Sequence, residues 1–318
     1  MLNVRVERKH QVADEICSFH LVSATGEPLP PFTAGSHVDV HLPGGLVRQY
    51  SLCGDPDDAG RYVLGVLKDP ASRGGSLAMH GIEEGSEIQI SAPRNHFPIE
   101  NDAGHTVLLA GGIGVTPLMA MAQALSAQNR SFDFHYCTRS LARTAFKEEL
   151  LQGKFADRVH LHLDDGQSEK FDAEAMLRRS FSTGTHVYVC GPAGFIEAML
   201  GAAKEAGFDE SLLHREYFAA PKCEPAAQGN FPFQIQINST GAVHHILPEE
   251  TVIQVLARHG IEIETSCEQG VCGTCVTRVL GGVPQHRDVY LTDQEHAENK
   301  LFTPCCSRSC SPMLVLDL

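Results

Sequence analysis

The sequence predicts a multidomain protein with an antiparallel β-barrel, an α/β domain that contains a parallel sheet, and a C-terminal α+β domain. Short alternating apolar stretches fill residues 1–101, and apolar stretches alternate with helix-like ones over residues 102–221. Residues 231–318 surround a cluster of cysteines. The stretch Ala219–Asn230 is rich in Pro, Ala and Gly without periodicity, so we expect a linker over residues 222–230.

The barrel is predicted from three strand-like stretches that Pro and Gly residues separate. They are His37–Leu42, Tyr62–Leu67 and Glu87–Ile90. Alternation with a period of two places the apolar side chains on one face of each strand. Several such short strands between turn residues are typical of an antiparallel barrel.

The pattern changes at Thr106, where strand-like and helix-like stretches begin to alternate. The strand-like stretches are Thr106–Ala110, Phe132–Tyr136, Val159–Leu163 and His186–Cys190. The helix-like stretches are Pro117–Ala127, Thr144–Gln152 and Ala193–Ala206. This alternation predicts a parallel sheet covered by helices.

Composition excludes several classes of protein. The 318 residues include 25 Lys and Arg against 39 Asp and Glu, and the net charge of −14 argues against binding to nucleic acid or to an anionic membrane. No apolar run approaches the roughly 18 to 20 residues that span a bilayer. The charged stretch Met1–His10 does not resemble a secretion signal, and the 11 cysteines suit reduced thiols or metal ligands, so we expect a cytoplasmic protein.

Four cysteines of the C-terminal part have a recognisable spacing. Cys267, Cys272 and Cys275 are separated by four and then two residues, and Cys305 lies further along the chain. This is the plant-type spacing of a 2Fe-2S cluster, in which four thiolates bind the irons. The spacing therefore predicts a β-grasp domain of the plant-type ferredoxin kind.

Some features of this cysteine loop leave alternatives open. Gly270 and Gly273 are expected to let the backbone approach the sulfides and direct N–H groups toward them. Four cysteines also suit tetrahedral zinc, although zinc knuckles usually recur in two similar pairs. Cys306 competes with Cys305 as the fourth ligand, and Cys310 is a more distant candidate.

Two segments of the barrel are similar to the flavin site of the ferredoxin reductase superfamily, namely Arg48–Leu52 and Lys68–Ser76. Arg48 suits a phosphate, Tyr50 suits a flavin ring face, and the Ser51 hydroxyl suits a hydrogen bond to the ring. Gly74, Gly75 and Ser76 would offer N–H groups and a hydroxyl to the phosphate where a helix begins. The motif around Tyr50 also suits an ordinary exposed strand.

A glycine turn between strand and helix predicts a nucleotide site. Gly112 and Gly114 let the backbone approach a pyrophosphate, and Pro117 replaces the third glycine as a helix-start residue. The stretch Val187–Pro192, which ends another strand in Cys-Gly-Pro, makes the signal stronger. No acidic residue for a ribose hydroxyl follows the second strand, so the residues leave NADH and NADPH open.

With these motifs in this order, the chain resembles the phthalate dioxygenase reductase family over nearly its whole length. The resemblance implies FMN rather than FAD, NADH, a 2Fe-2S cluster and a separate Rieske-type oxygenase as partner, in an aromatic dioxygenase or O-demethylase system. No Rieske motif occurs in the chain, so oxygen chemistry is expected on that partner. A reductase for a haem monooxygenase, or a non-enzymatic ferredoxin-like or zinc-binding protein, remains an alternative.

The resemblance also implies the site residues. Ser51 and Cys190 are the catalytic candidates, and Cys305 is favoured as the fourth cluster ligand. Phe218 is expected to shield the flavin, with Tyr217 as a substitute. The implied cofactor-contacting residues are Arg48, Gln49, Tyr50, Ser51, Leu67, Lys68, Gly74, Gly75, Ser76, Gly111, Gly112, Gly114, Thr116, Pro117, Thr138, Arg139, Cys190, Gly191, Pro192 and Phe218. The 17 histidines match no metal-hydrolase motif and are expected mostly at the surface or in packing.

Overall fold

The computed structural model describes residues 1–58, 60–70, 72, 74–219 and 230–318. The chain forms two compact units, Met1–Glu216 and Tyr217–Leu318. Outside the described residues lie the predicted linker, apart from Asn230, and also Ala71 and Arg73 of the predicted phosphate segment. No helix within the described ranges is both long and apolar enough to cross a membrane.

The first unit begins with an antiparallel sheet of seven strands. The strands are β1 (Leu2–Ala13), β2 (Ile16–Ser23), β3 (Ser36–Leu42), β4 (Leu46–Ser51), β5 (Tyr62–Leu67), β6 (Glu87–Ile90) and β7 (Arg94–Asn95), with helix α1 (Gly75–His80) after β5. Their order is β4-β3-β6-β1-β2-β5, and β7 pairs with β3. A bridge between Leu52 and Leu64 joins the two ends of the sheet, so the predicted barrel is confirmed.

Alternation explains why the first strand forms. In β1, Val4 and Val6 have no exposed surface, whereas Asn3 and Arg5 are exposed. The buried valines join Phe19, Leu21 and other apolar side chains in the barrel core. Two register shifts against β2 interrupt the pairing, which lets this 12-residue strand bend around the barrel.

The rest of the first unit is a parallel sheet with helices. Its strands are β8 (His105–Gly111), β9 (Phe132–Thr138), β10 (Val159–Leu163), β11 (Thr185–Cys190) and β12 (Leu213–Glu216). Its helices are α2 (Val115–Ala127), α3 (Lys147–Gln152), α4 (Ala173–Ser180) and α5 (Ala193–Ala206). The strand order is β10-β9-β8-β11-β12, so the order reverses between β8 and β11, and a crevice for ligands is expected at their carboxyl ends.

The barrel and the parallel sheet share a hydrophobic core. Ile16, Cys53 and Phe97 of the barrel segment belong to the same buried cluster as Phe146 and Tyr188 of the α/β segment. Gly65 in β5 is one point of close approach, because a Cβ there would meet Thr116 and Phe146. The two parts of the first unit therefore pack as one body.

The second unit is a mixed sheet with one helix packed against it. The elements are β13 (Phe233–Ile237), β14 (Val243–Ile246), α6 (Val252–Arg258), β15 (Thr277–Gly281), β16 (Pro284–Gln285), α7 (Asp293–Glu298), β17 (Leu301–Phe302), β18 (Arg308–Ser309) and β19 (Met313–Leu316). Five strands run in the order β14-β13-β19-β15-β17, and β16 pairs with β18. Thr251 and Gln254 form a capping box that begins α6, whose residue Leu256 is fully buried.

Candidate cofactor sites

The two predicted nucleotide motifs meet at the crevice between β8 and β11. A Cβ on Gly114 would collide with the backbone carbonyl of Cys190, and a Cβ on Gly191 would lie 3.0 Å from the Cα of Gly111. Glycine is therefore required where the turn after β8 packs on the end of β11. Gly112 has a φ of 53°, which glycine adopts without strain.

The remaining predicted nucleotide residues lie around this turn. Thr116 is buried, and its hydroxyl donates to the carbonyl of Ile113 at 3.1 Å. Helix α2 begins at Val115, so the prediction that Pro117 starts the helix is wrong by two residues. Proline is tolerated there because the first four N–H groups of a helix have no partner within it.

Three further predicted residues lie at the carboxyl ends of β9 and β11, since Thr138 ends β9, Arg139 follows it, and Pro192 comes two residues after β11. Thr138 is buried, and its hydroxyl lies 2.9 Å from that of Thr144. Arg139 is exposed, as is Pro192 after Cys190. The predicted helix over residues 144–152 is shorter than expected, because Phe146 has a φ of 55° and α3 begins only at Lys147.

Cys190 lies at the carboxyl end of β11 without exposed surface. Burial is the main reason why the pKa of its thiol is raised well above the usual value, and the nearby Glu216 carboxylate raises it further. The thiol is therefore protonated at neutral pH. Its arrangement suits packing against a ring rather than nucleophilic attack.

In the barrel, the structure brings Arg48 against the predicted phosphate segment. A Cβ on Gly75 would collide with the Arg48 side chain, whose Nη1 donates to the carbonyl of Val47 at 2.7 Å. Gly74, with a φ of 90°, precedes α1. The hydroxyl of Ser76 accepts a hydrogen bond from the N–H of Asp69 at 3.1 Å. This arrangement fits a phosphate, because a guanidinium lies over backbone that carries no side chain.

The other predicted flavin residues lie at the ends of β4 and β5. Burial raises the pKa of half-buried Tyr50 to about 12, which keeps its hydroxyl protonated. The side-chain amide nitrogen of Gln49 lies 3.4 Å from Nε2 of His37. Leu67 ends β5, and the N–H of Lys68 donates to the carbonyl of Glu15 at 2.7 Å.

Glu216 is a candidate residue that sequence reasoning missed. The buried hydroxyl of Ser51 donates to Glu216 Oε2 at 3.5 Å, across 165 residues of sequence. Burial of the carboxyl raises the pKa of Glu216 to about 8, against the lowering effect of that hydrogen bond. Ser51, Cys190 and Glu216 are therefore neighbours in the first unit. Phe218 belongs to the second unit and is 42% exposed.

The four predicted ligand cysteines converge in the second unit. Hydrogen bonds from the thiols of Cys272 and Cys305 lower the pKa of Cys267, and Cys275 also bonds with Cys305. Cys272, Cys275 and Cys305 are buried. Four neighbouring cysteine side chains provide the four thiolate ligands that the two irons need, so the residues fit a 2Fe-2S cluster.

The glycines of the cysteine loop are required by close packing. Gly270 and Gly273 have φ values of 72° and 74°. A Cβ on Gly270 would meet Asp288 and the sulfur of Cys306, and one on Gly273 would collide with the ring of Tyr290. Cys306 thus packs beside the loop, whereas Cys310 is exposed.

Comparison with known proteins agrees with this arrangement. Residues 235–310 match the family described as 2Fe-2S iron-sulfur cluster binding domain, and residues 87–213 match the N-terminal domain of dimethylamine monooxygenase subunit DmmA-like proteins. The chain is 51% identical over 320 residues to a vanillate O-demethylase oxidoreductase of Pseudomonas sp. (strain HR199), with 100% of each chain covered.

Two solved structures are similar over the whole chain. One is a phthalate dioxygenase reductase, described as a modular structure for electron transfer from pyridine nucleotides to 2Fe-2S, with 35% identity, a TM-score of 0.73, and coverage of 100% of this chain and 98% of that one. The other is an intact type IV self-sufficient cytochrome P450 monooxygenase, with 35% identity and a TM-score of 0.88. This chain is covered in full but spans only 41% of that longer protein.

Fold and site together define an electron-transferring flavin and iron–sulfur oxidoreductase. The chain belongs to the phthalate dioxygenase reductase family, whose members are the reductase components of oxygenase systems. The class of protein predicted from the sequence is thus confirmed. The non-enzymatic and zinc-binding alternatives are set aside, because the cysteine region matches a 2Fe-2S domain within a full-length reductase relative.

Proposed function

We propose that this chain takes a hydride from NADH on FMN and passes the electrons singly through its 2Fe-2S cluster to a separate Rieske-type oxygenase. The observation that carries the proposal is the convergence of four cysteines in a chain that aligns, from end to end, with a vanillate O-demethylase oxidoreductase. When bound, FMN accepts two electrons together and releases them one at a time, which the cluster then carries.

The barrel residues hold FMN in this proposal. Arg48 pairs with the phosphate above Gly75, and Tyr50 lies against the ring. Ser51 would donate its hydroxyl to the ring in place of its 3.5 Å hydrogen bond to Glu216. The remaining proposed FMN contacts are Gln49, Leu67, Lys68, Gly74, Ser76 and Phe218.

The α/β residues hold the nucleotide. The turn from Gly111 to Gly114 would hold the pyrophosphate, since Gly112 has a positive φ and open space around it, so that the ligand can approach the backbone. Cys190, Gly191 and Pro192 position the nicotinamide, and the uncharged Cys190 thiol excludes water without reacting. Thr116, Pro117, Thr138 and Arg139 complete the proposed contacts. Catalysis is mainly positioning of the two rings.

The predicted domain limits and location belong to the proposal. An FMN domain over 1–101, a nucleotide domain over 102–221, a linker over 222–230 and a ferredoxin domain over 231–318 are supported by the start of β8 at His105 and of β13 at Phe233. Cluster ligation by thiolates suits the reducing cytoplasm. Cys267, Cys272, Cys275 and Cys305 are the proposed ligands.

A visible spectrum before and after NADH is added tests the redox part of the proposal. Flavin and cluster bands are both expected in the purified protein, and both should bleach with NADH under argon. A spectrum without flavin bands, or one that NADH leaves unchanged, would refute it. Higher kcat/KM with NADPH than with NADH would overturn the choice of nucleotide, for which exposed Arg139 and Arg143 are the residues to examine.

The partner is tested separately, by adding purified oxygenases of two kinds to the NADH-reduced protein. We expect rapid electron transfer to a Rieske-type oxygenase of the O-demethylase class and little to a cytochrome P450. The P450 is the necessary comparison, because the similar P450 monooxygenase carries its reductase within the same chain. Faster reduction of the P450 would favour a haem partner and leave the reductase chemistry intact.

A further inference from the structure

A second group of metal-binding side chains lies in the second unit, beside the cysteine loop and separate from its thiols. His286, Asp288 and His296 each offer one ligand atom, and these atoms lie within 4.8 Å of one another. His286 follows β16, and His296 belongs to α7. The three side chains therefore join two elements through the loop that carries Asp288.

The carboxylate of Asp288 is held firmly in this group. Its side chain has no exposed surface. Oδ1 accepts a hydrogen bond from the hydroxyl of Thr303 at 3.1 Å, and Oδ2 accepts one from the N–H of Leu291 at 2.9 Å. His296 Nε2 lies 3.2 Å from Oδ2. The oxygens are thus oriented toward the imidazoles before any ion binds.

The ring nitrogens of the partly buried His286 make no hydrogen bond within the described part of the chain. Both of these nitrogens are buried. Asp288 Oδ1 lies 3.8 Å from Nδ1, and the Asn299 side chain and the His296 backbone are also near the ring. The ring stacks on that of His296 at 4.3 Å between centroids. A buried nitrogen that lacks a partner is unfavourable unless something binds it.

We propose that His286, Asp288 and His296 bind a divalent first-row transition-metal ion, and that Zn²⁺ is the fitting probe. Two imidazole nitrogens and one carboxylate oxygen form a borderline ligand set that such ions prefer, with water in the remaining position. The ion replaces the His296 hydrogen bond to Asp288 and binds a ring nitrogen of His286 that makes no hydrogen bond within the described residues. Neither the cysteine thiols nor the flavin takes part.

The expected consequence is mechanical. Tyr290, two residues after Asp288, packs on Gly273 of the cysteine loop, and Asp288 itself meets Gly270. An ion bound to both His286 and His296 would restrict the motion of the segment between them, which packs on the cysteine loop. Binding to the folded state alone stabilises it, so the cluster should survive longer at raised temperature when the site is filled.

Zinc and iron contents of the cluster-loaded full chain provide the test. Protein stripped of loosely bound metal by a chelator is dialysed against Zn²⁺, desalted and analysed for both elements. We expect a single equivalent of zinc per chain with iron unchanged, and slower bleaching of the cluster on heating. His286→Ala and His296→Ala should lose the zinc, whereas the exposed-site control His245→Ala should retain it.

Several outcomes would overturn the site. Wild-type protein that retains no zinc contradicts it, as does zinc retention in both alanine variants. Zinc uptake matched by iron loss would mean that the cysteines bind the zinc. If an alanine variant fails to keep its cluster, His296→Asn is measured instead, because the Asn side chain still offers a hydrogen-bond donor to Asp288. We expect His296→Asn to bind zinc about tenfold more weakly than the wild type, a loss of about 1.4 kcal/mol in binding free energy. Unweakened binding in that variant refutes the role of His296.

Discussion

Two neighbouring side chains at the crevice of the first unit hold their protons at neutral pH. Burial raises the pKa of Cys190 well above its usual range and that of Glu216 to about 8. The carboxylate of Glu216, once formed, raises the pKa of Cys190 further. Ser51 therefore faces a neutral carboxylic acid below about pH 8 and a carboxylate above it.

The raised pKa of Glu216 predicts how stability depends on pH. At pH values between the usual carboxyl pKa of about 4.3 and the folded-state pKa of Glu216, the Glu216 carboxyl is ionised in the unfolded chain but keeps its proton in the folded chain. Stability should thus fall as pH rises through this range and level off above about pH 8. Thermal unfolding from pH 5 to 9 should show this fall in the wild type and a smaller one in Glu216→Gln. Parallel curves for the two proteins would contradict the raised pKa.

Cys272→Ser should separate the two halves of the electron path. Loss of one thiolate removes the cluster absorbance and electron export. Hydride transfer to the flavin should continue, since every proposed flavin and nucleotide contact except Phe218 lies in the first unit. Stopped-flow flavin reduction and cytochrome c reduction report the two steps. Cys310→Ser, at an exposed cysteine, is the matched control and should keep the cluster. Normal cluster absorbance in Cys272→Ser would refute this ligand.

At the scale of elements, the sequence predicts strands well where burial is one-sided or complete. The strands Tyr62–Leu67, Glu87–Ile90 and Val159–Leu163 are found at the predicted bounds. The cysteine group is also predictable, because three of its four ligands are close in sequence and have a recognisable spacing. β1 is not predicted, because its four charged residues obscure the alternation of Val4 and Val6 in the sequence pattern.

Glu216 could not be predicted as a site residue for a different reason. Its proximity to Ser51 depends on the packing of β12 beside β11 and on the contact between barrel and sheet. A single acidic residue at the end of a short strand has no periodicity or spacing that distinguishes it from an exposed one. The same applies to His286 and His296, which meet only because the loop through Asp288 folds back.

The turn after β8 predicts a contrast between two glycines. Gly114→Ala should destabilise the protein by about 1–3 kcal/mol, because the added methyl meets the carbonyl of Cys190, and should raise the KM for NADH. Gly201→Ala, in α5 with open space around it, should instead stabilise by roughly 0.5–1 kcal/mol. Urea unfolding and steady-state kinetics measure both effects. Equal changes in the two variants would show that the turn is not tightly packed.

At the scale of the whole molecule, the charge of −14 is distributed over both units. Residues 230–318 carry ten acidic and five basic side chains. Thiolates around a cluster add negative charge to the same unit. A basic patch on the oxygenase would therefore be attracted to this acidic unit, and the range of the attraction would shorten as the salt concentration rises.

Electron transfer to the oxygenase should slow with salt, whereas flavin reduction by NADH should change little. The screening length falls from about 10 Å at 0.1 M to about 3 Å at 1 M, so steering between two proteins weakens first. Steady-state transfer and stopped-flow flavin reduction, each measured across ionic strengths, compare the two steps. Equal salt sensitivity would contradict electrostatic docking without affecting the assignment as a reductase.

The core shared by the barrel and the parallel sheet limits how such reductases can be recombined. A chain cut after residue 101 would expose Ile16, Cys53 and Phe97, which are buried against α/β residues. If the FMN segment alone were exchanged between relatives, the residue that replaces Gly65 would also have to fit against the host residues that stand where Thr116 and Phe146 stand in this chain. Chimaeras are therefore expected to fold when residues 1–216 are transplanted as a single block, whatever electron carrier follows them.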